Sequence, residues 1–519
     1  MPGSTGAGRI CRRVNVMAQA SVATRHGGLV RPLPGTEPLT VFNKLAFIGI
    51  LGSLTACYPP LPGGPAPSSR TRWNPPAAAT RDADESHLPA DSLPADVESR
   101  RTGLTTTDLV NLALERSPET RATWLAARSA SATYGEARGT LFPELTGAAT
   151  ITSLKTAATG GRVSVQQTTY GPSLTLNWLL LDFGGRSGAI DAAHQGLFAA
   201  NWTHNATVAD VVRRTVQGYF AYVGARGLTE AQRISLAESQ VNLNATEDRR
   251  TVGVATIADV LQARTAVSQA QLALQQAEGS LASTRGALAT LIGLPPSAAF
   301  DVDTSDAGAP TAQVTEAVDS LMAHGLLDRP DLAAERATVE MRRAQAREAR
   351  SQYLPNLSAT GTTGTTWVSG RPGNFPSYNI GLAVGIPIFN GLGWQYAAEA
   401  AALTADAEAA RLRTMEQQVA LQVFQSYQAL RTAAQSVATS EELFSSASAS
   451  VDAARARYRE GVGSLLELLT AENSLASARS QRIQSRVEWH TSLVQLAHDA
   501  GLLEPSGATQ LHLAPANGN

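Results

Sequence analysis

Leu141-Phe142-Pro143-Glu144-Leu145 returns as Tyr353-Leu354-Pro355-Asn356-Leu357, with Pro143 and Pro355 212 positions apart. The stretch before it repeats at the same offset, Arg116-Ser117-Pro118-Glu119 answering Asp328-Arg329-Pro330-Asp331. Further on, the offset is 206 at Phe183/Phe389 and Gly185/Gly391, then 208 at Tyr219/Tyr427, Gly253/Gly461, Ala263/Ala471 and Gly293/Gly501. Two insertions or deletions superimpose about 200 residues, so the chain is a duplicated pair rather than a string of unrelated domains. A period this long is no solenoid repeat, and each copy must be a whole structural half.

Each copy alternates two periodicities. Helical spacing begins after the N-cap candidates Thr105 to Asp108, with Leu109, Leu112, Ala113 and Arg116 in phase, and a second helix runs from Pro118 to about Leu141. Phe142-Pro143 stops it, because a residue before proline is driven out of the helical region. The period then becomes two: Leu174, Leu176 and Trp178 alternate with Ser173, Thr175 and Asn177, and Ile380, Leu382, Val384 and Ile386 alternate with Asn379, Gly381, Ala383 and Gly385. Partner strands at 144–153 and 356–367 give each half one β-hairpin, hence four strands per chain. Proline-free, Ala- and Gln-rich segments follow, from Gly185 to about Arg250 and from Gly391 to Arg459. Each would make a helix roughly 100 Å long. Glycine turns reverse them into returning helices at about 256–291 and 464–498. The fold class is therefore mainly α with a small β part, in two repeats spanning 104–303 and 304–507.

Composition agrees. Aromatic residues are 5% and net charge is −2, which suits close-packed Ala-rich helices and gives no electrostatic reason to expect nucleic acid. The N-terminus carries a different signal. Leu45 to Ala56 is an apolar run after Lys44, too short for a bilayer that needs about 20 residues, but the length of a signal-peptide core. Leu54-Thr55-Ala56-Cys57 resembles the bacterial lipobox, which implies a signal peptide at 1–56 and a lipid on Cys57; Cys11 leaves with the signal. By the same resemblance Tyr58, rather than Asp, favours the outer membrane. The 43 residues before Lys44 are long for a basic region, and translation starting at Met17 would shorten them. Residues 57–103, rich in proline, read as a lipidated tether draped over the body, and 508–519 as a disordered tail.

Four strands cannot close a barrel, and open sheet edges cannot lie in hydrocarbon. Three chains give twelve strands, enough for a water-filled lumen, and cyclic symmetry makes the helices a second, coaxial barrel. With these strand hairpins, the duplication and Gly253-Val254 … Asp259-Val260-Leu261, residues 104–505 resemble the TolC-type outer membrane factors, and the lipobox points to their NodT-like lipoprotein branch. The resemblance implies a homotrimer with a 12-stranded transmembrane β-barrel and a long α-helical barrel. It implies docking to a periplasmic adaptor and an inner-membrane RND pump, and export of drugs or other small toxic compounds. Protein secretion through the same fold is the alternative; a lipidated periplasmic adaptor or coiled-coil protein, the rival from another class, would lack the duplication and the strand hairpins.

The resemblance also assigns residues. Gly253, Val254, Gly461 and Val462, in the two helix turns, would dock the adaptor. Glu467 matches a carboxylate ring at the entrance aperture, although the second acid of that ring is Thr470 here. Asp259 and Tyr458 match a hydrogen-bonded pair that latches the entrance, while Gly463 replaces an arginine. No catalytic constellation stands out, and neither a metal nor any cofactor beyond the covalent lipid is expected. His194/His204 and His490/His498 lack metal-site spacing and read as surface residues. Gly184-Gly185-Arg186 lacks the lysine and third glycine of nucleotide loops and reads as a strand-to-helix elbow.

Overall fold

In the computed structural model, both copies of the repeated Pro stretch end a 22-residue helix and begin a strand. The structure describes residues 68–73, 103–157, 164–298, 300–304, 312–314, 317–503 and 513–515. Cys57, the expected signal peptide and most of the tether lie outside them.

The first repeat runs α1 (Thr106–Arg116), α2 (Pro118–Gly139), β1 (Glu144–Ala157), β2 (Ser164–Leu181), α3 (Gly185–Thr251) and α4 (Ile257–Leu291). After β3 (Ala312–Val314), the second runs α5 (Val318–Asp328), α6 (Pro330–Ser351), β4 (Asn356–Val368), β5 (Phe375–Gly385), α7 (Gly393–Arg459) and α8 (Leu465–Asp499). Helix lengths match copy for copy: 11, 22, 67 and 35 residues in each. Within the tail, Leu513–Pro515 forms β6, antiparallel to β3.

Local chemistry explains the boundaries. Thr105 and Asp108 close a capping box at the start of α1, and Ser117 with Pro118 at the first helical position starts α2. The strand-to-helix elbows need left-handed backbone, φ 49° at Phe183 and 112° at Gly184, then 74° at Gly391 and 66° at Leu392. Glycine takes half of each strained pair at little cost.

The strands form one antiparallel sheet in the order β1-β2-β4-β5, so the repeats meet at β2–β4. Helices keep the same order: α3 packs on α2, α4, α6 and α8, and α7 packs on α6 and α8. Repeat 1 therefore owns one edge of every layer (β1, α2, α4) and repeat 2 the other (β5, α7). The main core lies midway along the long helices, where Leu109, Leu112, Val212, Tyr219, Leu288, Leu321, Val423 and Leu496 are buried together.

Candidate functional site: the strand sheet and the hairpin tips

Pairing registers sort the sheet into two unlike faces. Leu145, Leu176, Gly361 and Ile380 share one cross-strand row, and Trp178, Ala359 and Leu382 the next. On that face, aromatic residues mark two levels, Tyr170 and Trp367 at the loop end and Trp178 at the other, with Tyr378 in the row between them. Tyr170 and Trp367 stack with ring centroids 6.0 Å apart. Tyr170 and Trp178 are eight residues apart, about 26 Å along the strand and roughly 20 Å in height once tilted. An apolar band of about 25 Å between aromatic girdles is what a membrane barrel turns toward lipid. The opposite face carries Thr146, Thr175, Asn177, Thr360, Thr362, Asn379 and Gly381, small and polar groups suited to water. Among the described residues no helix is long and apolar enough to cross a membrane.

At the far end of the long helices the two turns are built alike. Gly253 (φ 81°) and Gly461 (φ 76°) sit at the left-handed position of a Schellman turn. The amides of Gly253 and Val254 donate to the Arg250 and Arg249 carbonyls at 3.0 and 2.9 Å, and those of Gly461 and Val462 to Tyr458 and Arg457 at 3.2 and 3.0 Å. The motif accounts for the glycines. It does not account for the valines, since Val254 and Val462 stand 65% and 70% exposed, beside exposed Val252, Ile257 and Leu466. These side chains make an apolar patch at the tip.

The polar residues expected there bond differently from the resemblance. Asp259 and Tyr458 are not brought together. The Asp259 carboxylate accepts from the Thr256 amide and hydroxyl, both at 2.8 Å, closing the capping box of α4. Those hydrogen bonds, from the amide and then the hydroxyl, hold its carboxyl below the usual range. Helix capping takes Asp259 because its partner is three residues away, whereas the tyrosine lies across the inter-repeat seam. Glu467 does lie at the tip, exposed, but its carboxylate pairs with Arg457 at 3.2 Å. A cation from the same chain thus stands beside the expected aperture acid. Gly463 is tightly enclosed, since a Cβ there would meet that of Arg457 at 3.0 Å.

Below the tips a ladder of polar pairs joins α3 to α8: Gln217–Gln495, Gln232–Ser480, Glu238–Arg479 and Asn242–Glu472. Burial pushes the Glu472 carboxyl above its ordinary value, against the opposing pull of Asn242 and of Arg455 at 3.3 Å. Nearer the tip Arg249 of α3 reaches Tyr458 of α7. Sequence reasoning missed these rungs because each joins residues more than 200 positions apart with no local signal.

His204 is not the surface residue expected, while His194, His490 and His498 are half-buried. His204 is wholly buried, with Nε2 2.8 Å from the Thr71 carbonyl and Nδ1 3.1 Å from the Thr123 hydroxyl. It belongs to a dock for residues 68–73 of the tether. There Asn205 accepts from the Trp73 amide at 2.6 Å and donates to its carbonyl at 2.8 Å. Trp73 packs on Phe198 and Trp202, and Arg72 donates to the Leu503 carbonyl at 2.6 Å. The tether is thus fixed at the waist of the chain.

Comparison with known proteins agrees with this geometry. A family model described as outer membrane efflux protein matches residues 109–294 and 322–502, one segment in each repeat. Protein CyaE of Bordetella pertussis is 27% identical over 406 residues, covering 76% of this chain and 84% of that protein. Outer membrane protein OprJ of Pseudomonas aeruginosa is 26% identical over 443 residues, covering 84% and 91%. Among solved structures, the outer-membrane channel OprN superimposes with a TM-score of 0.68 at 20% identity, over 76% of this chain and 89% of that one. With both repeats matched by the family model, the chain belongs to the outer membrane efflux protein family.

Proposed function

We propose that three copies of this chain form an outer-membrane exit duct for a tripartite pump, exporting drugs or other small toxic compounds. The observation that carries the reading is the shared order of edges: β1, α2 and α4 on one side, β5 and α7 on the other. Unlike edges join head to tail and close by rotation. Exposed Tyr396, Leu403, Leu421 and Leu443 lie along one stripe of α7, while Leu125 on α2 and Leu261 and Leu272 on α4 are exposed on the opposite edge. Burying these against each other in the next copy completes both layers at once.

Three copies suit the sheet. Twelve strands about 4.8 Å apart, tilted about 40°, give a backbone radius of roughly 12 Å and room for a lumen, whereas eight give a barrel filled by side chains. The polar face of the sheet would line that lumen. Long helices, about 100 Å each, would carry the duct across the periplasm. The tip patch of Val254 and Val462, with Gly253 and Gly461 shaping the turns, would receive the helical hairpins of a periplasmic adaptor attached to an inner-membrane RND pump. Glu467, tempered by Arg457, would line the entrance. Cys57 would bear lipid and hold the tether in the outer membrane.

Gene deletion tests the reading. Loss of the chain should raise sensitivity to several unrelated small toxic compounds, with rescue by wild type but not by Val254→Asp/Val462→Asp. Unchanged sensitivity, together with loss of a secreted protein, would move the duct to secretion and overturn the drug-export reading.

A further inference from the structure

We propose that Arg249 is the clamp that binds the tips of the two helical hairpins to each other, and so holds the entrance narrow. The inference rests on the duct reading for its consequence and on geometry alone for the clamp. Arg249 is in the last turn of α3, in the first hairpin, and its side chain reaches across to Tyr458 in the second. Its Nη1 donates to the Tyr458 carbonyl at 2.7 Å, and its guanidinium carbon stands 4.5 Å from the centre of the Tyr458 ring. Nη2 lies 4.0 Å from where a Cβ on Gly461 would be, so the arginine also lies against the turn of the second hairpin.

The chemistry of the carbonyl makes the contact specific. Tyr458 is in the last turn of α7, where carbonyls lack helical partners and the helix dipole is negative. One lone pair of this oxygen accepts from the Gly461 amide at 3.2 Å, and Arg249 takes the other. A permanent cation on the neighbouring hairpin therefore completes the C-terminal cap of α7. The guanidinium plane also covers the ring by a cation–π contact. Half-buried Tyr458 packs against two clusters: Val451, Ala454, Leu468 and Ala471 of the second hairpin alone, and Leu243, Val260, Leu465 and Leu469 from both. Arg249 thus pins the residue at which the hairpins meet.

The other candidates for the latch are occupied, Asp259 by its own cap and Glu467 by Arg457. The Tyr458 hydroxyl does little, standing 3.4 Å from that of Thr246. Position along the helix adds leverage. The Asn242–Glu472 rung lies seven residues nearer the waist, about 10 Å, so splaying the tips separates Arg249 first while the lower rungs act as the hinge.

The test uses the purified full-length oligomer in planar bilayers, with hydrogen exchange of segments 246–262 and 455–470 on the same samples. Arg249→Ala should raise open probability roughly tenfold and quicken exchange in both segments, with an unchanged oligomer mass confirming folding. Tyr458→Ala should do the same. Tyr458→Phe, which keeps ring and carbonyl, should match wild type, and Arg249→Lys should fall between. Unchanged exchange and conductance in a folded Arg249→Ala oligomer would overturn the clamp, as would opening by Tyr458→Phe alone. Faster exchange in Arg249→Ala with no conductance from any variant, wild type included, would sustain the clamp and sink the duct.

Discussion

Asp259 shows how a residue's nearest chemistry decides its role. The signature Thr256-Ile257-Ala258-Asp259 is a capping box readable from sequence, and the structure forms it, yet resemblance alone would give the carboxylate to Tyr458. Thr256→Ala should cost about 1 kcal/mol in the stability of the α4 start, read as faster amide exchange at residues 256–260; unaltered protection would contradict the cap. His204 makes the second residue-scale prediction. Burial lowers its pKa, against the raising effect of the Thr71 and Ser68 carbonyls. Its proton is then held less well in the folded state than in the unfolded chain, so stability is full above about pH 6.5 and falls as pH drops below it. His204→Gln should flatten the loss of melting temperature between pH 7.5 and 5.5, even though His194, also lowered by burial, remains. Parallel curves for the two proteins would refute this.

At the scale of elements, much was legible because it is local. Pro143 and Pro355 fix where strands begin, and the glycine turns and their caps fix where the long helices reverse. The two-residue alternation identified the apolar face of β2 and β5, and the registers place those residues in common rows. What sequence did not yield is contact between distant segments. His204 and Asn205 look like ordinary helix-surface residues until Thr71 and Trp73 arrive on the same spot. Arg249 has no motif, because its partner is a backbone carbonyl in the other repeat. Close packing is equally silent: Gly224 lets α3 approach α8 so nearly that a Cβ would stand 2.5 Å from a Val487 methyl. Gly224→Ala should destabilise the protein by about 1 to 3 kcal/mol through overpacking, measured by denaturant midpoint; a neutral or stabilising result would mean the helices part freely. The sheet gives a paired prediction. Leu174→Lys, on the apolar face midway between Tyr170 and Trp178, should cost about 2 to 4 kcal/mol near mid-membrane and lower the amount assembled, whereas Thr175→Lys, on the polar face, should assemble and change ion selectivity. Equal tolerance at both sites would show that the faces are not what they are taken to be.

For the whole molecule, duplication and incompleteness are one fact. Each repeat supplies a strand hairpin and a long helical hairpin, the repeats join through β2–β4 and α3–α8, and every layer is left with two unlike open edges. The polypeptide alone exposes strand edges and apolar helix stripes that only another copy would satisfy in the same order. The most direct measurement is native mass spectrometry of the protein extracted from outer membranes in detergent. The account requires one closed species of three chains, resistant to dilution. A stable folded single chain, or a ladder of sizes passing beyond three, would contradict it.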